Sequence, residues 1–417
     1  MNTMQRTTTS SAVVALICSA PLAVLVLAGS ALAGPVNPPA GAIGATGKTL
    51  TEVEPRIAIN AVNTPGDADA TPSTFKITQP GSYYLTGNVA GESGKHGIEV
   101  ASAGVTLDLN GFSVSGVPGS LTGVLLRTGG TEVRNGSVRG WGGDGVAAEG
   151  SVTVNRVIDV RSTGNGGTGI YAGNYSEVRN CMSVSNGSHG IAIYAFGRVE
   201  GCTSRNNTGD GINAPNSGNI IINCLANENT GAGIKAGPSN TVTGSTATNN
   251  GQNGIELDGG VVRDCLASIN GGYGINLGSN SIASGNRAAG NTVGGIYTFA
   301  SCVLEGNYAV GNGAGVATRA GFAISGAGNR ASNNHATGNP IGFSAVGGPS
   351  VLTGNTAIGN TVTGFSVSNN GNTLLTGNAA TGNPTNFAIG AGNDSGALVT
   401  NPGVGFTITN PAANYSN

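Results

Sequence analysis

A phrase of about 21 residues repeats along the middle of this chain and constrains the fold more than any other feature. Each copy begins with Gly-Ile, continues with alternating apolar residues and closes with Asn. Successive copies start 20 to 22 residues apart, at Gly169, Gly190, Gly211, Gly233, Gly254, Gly274 and Gly295. A fixed period of this length is typical of a solenoid, in which every repeat is one coil stacked on the next.

The composition favours the same architecture. Of the 417 residues, 74 are Gly and only 9% are charged. A single compact core is disfavoured, because Gly buries no side chain and loses the most backbone entropy on folding. In a solenoid each coil buries only a thin apolar line, and the turns accommodate Gly and Asn. The formal net charge of −2 and the lack of a basic patch argue against nucleic acid as a partner.

Alternation within each repeat predicts strands with one buried face. After the starting Gly, the first and third positions are apolar, as in Ile191 and Ile193 or Ile255 and Leu257. A second strand places apolar residues inward at Val178, Val199, Ile221, Val242, Val262, Ala283 and Leu304. We therefore predict an all-β, single-stranded parallel β-helix of about 13 coils, with three short strands in each coil.

Three further columns recur in every coil. The first contains only Gly, Asn and Asp, which tolerate positive φ, and predicts a left-handed corner at Asn180, Gly201, Asn223, Gly244, Asp264, Gly285, Gly306, Asn333, Gly354 and Gly377. Next comes an inward column that changes from Cys to Asn: Cys181, Cys202, Cys224, Ser245, Cys265, Asn286, Asn307, Asn334, Asn355 and Asn378. The closing column is Asn throughout, from Asn186 to Asn383. Amides stacked roughly 4.8 Å apart can hydrogen-bond to each other and to turn backbone.

The ends of the chain differ from the repeats. Residues 1–33 resemble a secretory signal peptide, with an apolar run and Ala31-Leu32-Ala33 as the cleavage site; an uncleaved membrane anchor is the alternative. A Pro/Gly-rich linker is predicted at 34–55, an N-terminal β cap at 56–96, coils at 97–390 and a capping tail at 391–417. Within the cap, FKITQPGSYYLT predicts two short strands joined by a turn at Pro80-Gly81. A secreted, periplasmic or cell-surface protein follows, with no membrane contact once the signal is removed.

The texts PRIAINAVNTPGDADATPSTFKITQPGSYYLTGNV and VTLDLNGF resemble the opening of secreted bacterial right-handed parallel β-helix repeat proteins. Similar repeats occur in periplasmic copper-site proteins and in polysaccharide lyases, hydrolases and epimerases. The resemblance extends from about Arg56 to the C-terminus. It implies a right-handed coil, in agreement with the general preference of parallel crossovers, and it assigns no single reaction.

Five cysteines remain after the signal, three of them at equivalent inward positions of successive coils: Cys181, Cys202 and Cys224. Stacking at the strand spacing holds Cβ atoms farther apart than a disulfide prefers, so we favour a ladder of buried thiols over a bridge. We predict no metal site, because no CxxC motif or Cys/His cluster occurs. Glu177 and Arg179 are expected to lie beside Arg198 and Glu200 as surface ion pairs.

The outward side of the Gly-Ile strand is less regular, and it is where we look for function. It carries aromatic, amide and charged residues that would suit a sugar chain, whose apolar ring faces stack on aromatic rings while its hydroxyls meet polar groups. The candidate binding residues are Tyr171, His189, Tyr194, Asp210, Asn213, Tyr273, Asn276 and Tyr297. An ordinary solvated face is the simpler alternative.

Glu256, Asp258 and Lys235 are the candidate catalytic residues on this face. Hydrolysis of a polysaccharide needs two carboxylates about 5 to 9.5 Å apart, and residues i and i+2 of one strand fall near 6.5 to 7 Å. No cofactor is expected for a scaffold; Ca²⁺ enters only under the enzyme hypothesis, with Asp67 and Asp69 as weak candidate ligands. The preferred hypothesis is a non-catalytic secreted scaffold that binds glycan or protein, and the alternative is a polysaccharide lyase, hydrolase or epimerase.

Overall fold

The computed structural model describes residues 54–150, 152–368, 372–400 and 412–416. The predicted signal peptide, most of the predicted linker and much of the predicted C-terminal tail lie outside the described residues. The described residues contain strands and turns and no α-helix. Accordingly, no helix in these ranges is long and apolar enough to cross a membrane.

The strands form a parallel β-solenoid of about 15 turns. One strand from each turn lies in a 15-stranded parallel sheet, which we call the face sheet because its outer side carries the candidate residues. Its strands are Ser73–Ile77, His96–Val100, Val124–Leu126, Val146–Ala148, Ile170–Tyr171, Ile191–Ala192, Ile212–Ala214, Ile234–Ala236, Ile255–Leu257, Tyr273–Leu277, Gly294–Thr298, Ala320–Ser325, Ile341–Val346, Thr363–Val367 and Thr385–Ile389.

The other strands form a 30-stranded sheet that bends at the left-handed corners, here called the corner sheet. Most turns contribute two short strands to it, one on each side of the corner residue. Its strands are Ile57–Ala58, Gly81–Tyr84, Val89–Ala90, Val105–Asp108, Ser113–Ser115, Glu132–Arg139, Arg156–Thr163, Glu177–Arg179, Met182–Val184, Arg198–Glu200, Thr203–Arg205, Ile220–Ile222, Leu225–Asn227, Asn240–Thr243, Thr246–Thr248, Gly260–Arg263, Leu266–Ser268, Ser281–Ser284, Arg287–Ala289, Val303–Glu305, Tyr308–Val310, Arg330–Ser332, His335–Thr337, Val351–Thr353, Thr356–Ile358, Leu374–Thr376, Ala379–Thr381, Asp394–Ser395, Leu398–Thr400 and Asn414–Ser416.

The predicted corner column is confirmed. All ten of its residues have positive φ, between 53° at Asn180 and 66° at Gly285. This left-handed conformation reverses the pleat for one residue, so that the strands on either side of the corner can both direct apolar side chains inward. The corner column therefore fixes the bend of the corner sheet.

The solenoid has more turns than the predicted 13, because the strands Ser73–Ile77 and Thr385–Ile389 each add one turn, at the N-terminal and C-terminal ends respectively. Ser73–Ile77 pairs in parallel with His96–Val100, and Gly81–Tyr84 pairs in parallel with Val105–Asp108. The two strands around Pro80-Gly81 thus lie in different sheets and form a turn of the solenoid, not a hairpin. A single antiparallel bridge between Pro65 and Phe75 covers the free edge of the first face-sheet strand.

The core is a set of stacked columns rather than a compact centre. The predicted inward residues of the second strand, from Val178 to Leu304, are completely buried. Toward the C-terminus the face sheet contributes an aromatic column in which the rings of Phe322, Phe343 and Phe365 stack 4.7 and 4.8 Å apart. These separations match the strand spacing, so each ring packs against its counterparts in adjacent coils.

The closing Asn column forms a continuous ladder of buried amides. The side-chain amide of Asn186 donates to Oδ1 of Asn207 at 2.9 Å, and that of Asn207 donates to Asn229 at 2.9 Å. Each Oδ1 also accepts a backbone N–H from the preceding coil, as Asn207 does from Asn186 at 3.0 Å. The ladder therefore satisfies turn backbone that would otherwise be buried without a partner.

Cys181, Cys202 and Cys224, the predicted ladder of thiols, are free and buried, and so are Cys265 and Cys302. Sulfur takes the acceptor role that oxygen has elsewhere in the column, since the backbone N–H of Cys181 donates to Sγ of Cys202 at 3.4 Å. The N–H of Cys265 donates instead to Asn286 at 2.9 Å. Burial raises the pKa of the Cys265 thiol to about 11, which keeps it protonated and unreactive at neutral pH.

The lateral charge register is confirmed, but one predicted contact is replaced. Glu177 lies opposite Arg198, and Arg179 opposite Glu200, in adjacent strands. Arg198, however, pairs with Glu200 on its own strand at 2.9 Å. Glu177 is instead contacted by Arg156 of the preceding coil at 3.0 Å. A charged side chain on the surface can pair with an oppositely charged residue on its own strand or on an adjacent strand, and such exposed ion pairs add little stability.

A second left-handed column escaped the sequence pattern. The residue before each closing Asn also has positive φ, and its identity varies widely: Ser185, Asn206, Glu228, Asn249, Ile269, Gly290, Gly311, Gly338, Gly359 and Gly382. Ile269 is the most strained of these, because a β-branched side chain rarely adopts φ of 55°. Ile269 is 64% exposed, so packing of its side chain contributes little stability to offset this backbone strain.

Replacing Gly306 with Val should destabilise the protein more than replacing Asn276 with Val. Gly306 has φ of 63° and open space around an added Cβ, so its cost of about 1–2 kcal/mol comes from backbone strain alone. Asn276 lies in an extended strand, where Val is favourable. Denaturant midpoints of the two variants measure the difference, and equal midpoints would contradict the assignment of the corner.

Replacing Ile269 with Asn should stabilise the protein by about 1 kcal/mol, because Asn tolerates the left-handed conformation that Ile resists. Asn249 already occupies the equivalent position of the preceding coil with the same φ of 55°. The measurement is the free energy of unfolding in denaturant. Ile282→Asn is the control, since Ile282 is exposed on an ordinary strand and should not gain stability; a loss of stability in Ile269→Asn would refute the strain argument.

Candidate functional site

The outer side of the face sheet aligns several predicted residues in one column. Strand pairing places Asn213 beside Lys235, Lys235 beside Glu256, Glu256 beside Asn276, and Asn276 beside Tyr297. Each is the second residue after a repeat-starting Gly, so the column follows from the register of the coils. The sequence period was therefore sufficient to bring these side chains together.

Lys235, Glu256, Asn276 and Tyr297 of this column line an open groove of about 630 Å³, which we call the central groove, whereas Asn213 lies outside it. Its side chains come from five successive coils: Pro215, Lys235, Glu256, Asp258, Asn276, Tyr297 and Phe299. Pro215 and Phe299 stand at its two ends, while Gly237 and Gly278 leave the space between them open. Four coil spacings separate these ends, which is roughly 19 Å along the solenoid axis.

Lys235 and Glu256 are partners in the central groove. Nζ of Lys235 lies 3.5 Å from Oε1 of Glu256, and the amide of Asn253 donates to Oε2 of the same carboxylate at 3.1 Å. Both oxygens of Glu256 are therefore contacted by donors of the protein. The side chains remain 46% and 30% exposed, respectively, so the pair can still be reached from solvent.

Asp258 differs from Glu256 in having no side-chain hydrogen bond or ion pair within the described residues. Its carboxylate leans along the axis over Gly278, since an added Cβ at Gly278 would lie 2.4 Å from Oδ1 of Asp258. Only Gly leaves room for this arrangement. The central groove thus contains one carboxylate that a ligand can contact without displacing a protein group.

The predicted tyrosines of this end form a pair. The rings of Tyr273 and Tyr297 lie 5.2 Å apart with an angle of 38° between their planes. Tyr273 also covers the backbone of Gly294. Burial raises the pKa of the Tyr273 phenol. Tyr297 lines the central groove and Tyr273 supports it from the side, which holds the Tyr297 ring in place.

His189 and Asp210 lie together, but their contacts are mainly with backbone. Nδ1 of His189 accepts the N–H of Asp210 at 3.0 Å, and Oδ1 of Asp210 accepts the N–H of Ala232 at 2.9 Å. Asn213 donates to the second oxygen of Asp210 at 2.7 Å. Asn253 accepts the N–H of Tyr273 in the same way at 2.9 Å. His189, Asp210 and Asn253 thus each accept a backbone N–H at the start of the face-sheet strand in the following coil. This contact explains why these positions carry side chains with hydrogen-bond acceptors.

Tyr171 lies outside the central groove, in a second cavity of about 720 Å³ that we call the N-terminal cavity. Its polar lining includes His96, Arg127, Asp144, Glu149 and Tyr171, and Leu121, Leu125, Ala147 and Ala148 form apolar wall. Burial raises the pKa values of the Tyr171 phenol and the Asp144 carboxyl, and it lowers the pKa of the His96 imidazole. Ionisable groups with shifted pKa values around a cavity are typical of functional sites, and they also occur in ion-pair networks that only stabilise the fold.

The contacts beside this cavity favour a structural network. Glu99 is completely buried and is contacted by Lys76 at 3.0 Å and by Arg127 at 2.9 Å. Lys76 also pairs with Asp67, and it lies 3.3 Å from Asp69. Asp67 and Asp69, weak candidates for Ca²⁺, are thus turned toward an ammonium group. In the described chain no group of three or more His, Cys, Asp or Glu residues is placed to hold a metal ion.

Two exposed aromatic residues beside Tyr194 were missed by the sequence analysis. The rings of Tyr175 and Phe196 stack 5.2 Å apart and nearly parallel, and more than half of each side chain is exposed. Both residues have positive φ, of 50° and 54°. They occupy a third corner, after the face-sheet strand, where the repeat varies too much for the pattern to reveal a column. Tyr194 itself is 47% exposed and lies beyond the Pro215 end of the central groove.

Asp144→Asn should stabilise the protein at neutral pH. Burial raises the folded-state pKa of Asp144, so the folded chain holds this proton more tightly than the unfolded chain, and ionisation costs stability as the pH rises. We expect a higher thermal midpoint than wild type at pH 7, and a gain that vanishes below about pH 4, where the unfolded carboxyl is also protonated. Asn can keep the hydrogen bond from the N–H of Thr168.

The control is Asp264→Asn, the same change of charge at an exposed corner where other coils carry Asn. Its effect on the midpoint should be small, because the side chain is exposed to solvent. A gain for Asp144→Asn that is equal at acidic and neutral pH would show that burial of the charge is not its cause.

Comparison with known proteins agrees with the coil geometry. The family model described as right-handed beta helix region matches residues 122–262 and 198–323. No curated protein matches the sequence significantly. Among solved structures, the A-module of mannuronan C-5 epimerase AlgE4 from Azotobacter vinelandii is similar at 14% identity and a TM-score of 0.46, over 76% of this chain and 91% of that one.

Two other structures are similar at a comparable level. The tailspike protein of Escherichia coli bacteriophage HK620, solved with a pentasaccharide, has 11% identity and a TM-score of 0.47, over 82% of this chain and 71% of that one. The periplasmic alginate epimerase AlgG has 12% identity and a TM-score of 0.37, over 86% and 80%. Similarity at this level carries over no activity. The parallel coils and the matching family model identify this chain as a right-handed parallel β-helix repeat protein.

Proposed function

We propose that this protein is a secreted β-helix scaffold that binds a glycan in the central groove without catalysing a reaction. The observation that carries the proposal is the lining of that groove. The aromatic side chains of Tyr297 and Phe299 stand at one end of a strip formed by Lys235, Glu256 and Asp258. Phe299 is 53% exposed, although a large apolar ring normally gains free energy by burial.

A sugar chain can use both the aromatic and the polar residues of this lining. Its rings present apolar C–H faces that can stack on Tyr297 and Phe299. Its hydroxyls can donate to the free carboxylate of Asp258 and can exchange hydrogen bonds with Asn276 and Lys235. The groove is elongated along the axis, roughly 19 Å between Pro215 and Phe299, which suits several linked sugar units better than one small molecule.

The shape of the groove favours binding over turnover. Hydrolysis of a glycosidic bond needs an acid and a second carboxylate on the two sides of the bond. Here Lys235, Glu256 and Asp258 all project from one sheet face, and the described residues that line the groove belong to the strands of that face or to the turns directly after them, so they form no opposite wall. Water is therefore not excluded from a bound chain.

Secretion is part of the proposal and rests on the sequence of residues 1–33, with its apolar run and its Ala31-Leu32-Ala33 site. Buried free thiols are compatible with an oxidising compartment, because Cys181, Cys202 and Cys224 are at most 2% exposed and cannot reach an external oxidant. Fusion of residues 1–33 to a reporter tests export, and a reporter retained in the cytoplasm would contradict it.

Phe299→Ala should weaken glycan binding. The purified protein is first applied to an array of neutral, amino and uronate polysaccharides, and affinity for the best ligand is then measured by calorimetry. Loss of one stacking ring should cost about 0.5–1.5 kcal/mol, a decrease in affinity of roughly 2- to 13-fold. Tyr308→Ala is the matched control, because Tyr308 is an aromatic residue on the corner sheet, stacked on His335 and away from the groove.

Absence of binding to the whole array, or equal affinities for Phe299→Ala and wild type, would contradict the assignment of the groove. Turnover is assayed on the same polysaccharides by new reducing ends and unsaturated products. If products form with wild type and not with Glu256→Ala, the enzyme alternative replaces the scaffold. That alternative is favoured only by the presence of Glu256 and Asp258 in one groove.

A further inference from the structure

Building on the proposed function, we propose that the central groove selects glycans that carry free amino groups, with a sugar ammonium bound between Asp258 and Phe299. The ligand class is a polymer of deacetylated amino sugars, as opposed to a neutral or a uronate polymer. The inference comes from the charges of the groove and from the space above Gly278.

The charges of the groove are unbalanced. Its charged side chains are Lys235, Glu256 and Asp258, two carboxylates and one ammonium group. Lys235 lies 3.5 Å from Glu256, whose other oxygen accepts from Asn253. Asp258 is left with no ion pair or side-chain hydrogen bond in the described chain. The groove is therefore net negative and attracts cationic ligands.

Arg319, directly before the strand Ala320–Ser325, does not change this balance. Its guanidinium donates to the backbone carbonyl of Thr292, and it does not line the groove. A uronate could contact the ammonium of Lys235 only beside the carboxylate of Glu256, and its remaining carboxylates would face Asp258. An ammonium group finds a free partner without breaking a protein contact, which is the cheaper exchange.

The position of Gly278 gives the ammonium a defined place. Gly278 occupies the position in its coil that is equivalent to Asp258 in the preceding coil and to Phe299 in the following one. The backbone shows this register, because the N–H of Gly278 donates to the carbonyl of Leu257 and that of Phe299 donates to the carbonyl of Leu277. The carboxylate of Asp258 leans over this glycine. A cation above Gly278 therefore has a carboxylate on one side and an aromatic ring on the other.

This pairing is chemically selective. A carboxylate supplies charge-assisted hydrogen bonds to an ammonium group, and the face of an aromatic ring attracts a cation through its quadrupole within about 6 Å. An N-acetyl group at the same place has no positive charge and is bulkier. Neither Asp258 nor Phe299 has a structural role that would require these residue types, since both side chains are exposed at the surface.

The experiment compares three oligosaccharides of equal length by calorimetry: glucosamine oligomers, their N-acetylated counterparts and mannuronate oligomers. At mildly acidic pH and low salt, we expect wild type to bind the glucosamine oligomer most tightly, with an affinity that falls as salt is added. Asp258→Asn should reduce affinity for the glucosamine oligomer about fivefold, the equivalent of one exposed ion pair of about 1 kcal/mol. Affinity for the N-acetylated oligomer should stay within about twofold, because a neutral ligand does not depend on the carboxylate charge.

Asp264→Asn is the control, since it makes the same change of charge in the same coil but on the corner sheet side. It should leave all three affinities unchanged, which separates a local contact from an effect of net charge. Equal or tighter binding of the N-acetylated or mannuronate oligomer by wild type would overturn the amino-sugar inference and leave the proposed glycan function standing. Binding of none of the three overturns the inference as well, and the proposed function fails only if the full array is also unbound.

Discussion

The structure depends on buried amides that hydrogen-bond from one coil to the next. Each closing Asn donates to the Asn of the following coil and accepts from the backbone of the preceding one, as in the run Asn186, Asn207 and Asn229. A buried amide without such partners would cost free energy, so the register of every coil is fixed to its neighbours. Fixed register then determines which outward side chains become neighbours, and the central groove is one consequence.

The regular interior leaves function to the outer surface. The central groove is formed by differences in side-chain size along one column: Pro215 and Phe299 rise where Gly237 and Gly278 do not. No change in backbone path is needed, because the coils beneath keep their period. Substitution of single outward residues can thus reshape the groove without disturbing the ladder, which makes a solenoid a suitable scaffold for binding extended ligands.

The N-terminal cavity and the central groove differ in the partners of their ionisable groups. Beside the N-terminal cavity, Arg127 and Lys76 neutralise the buried Glu99, and within the cavity burial raises the pKa of Asp144. These contacts join the first described face-sheet strands, Ser73–Ile77 and His96–Val100, to the coil after them. In the central groove the decisive feature is that the side chain of Asp258 has no hydrogen-bond or ion-pair partner among the described residues, and a ligand can supply one.

The sequence by itself determined the period, the inward apolar columns, the corner column and the alignment of Lys235, Glu256 and Asn276, because each depends only on spacing between equivalent residues. It did not reveal the second corner column, where Glu228 and Ile269 adopt a strained φ, nor the parallel pairing of Ser73–Ile77 with His96–Val100. Only the tertiary structure decided that His189 and Asp210 cap backbone, that Tyr171 lies apart from the groove, and that Asp258 is free. These outcomes depend on side-chain orientation and on competition among partners in adjacent coils, which a one-dimensional period does not encode.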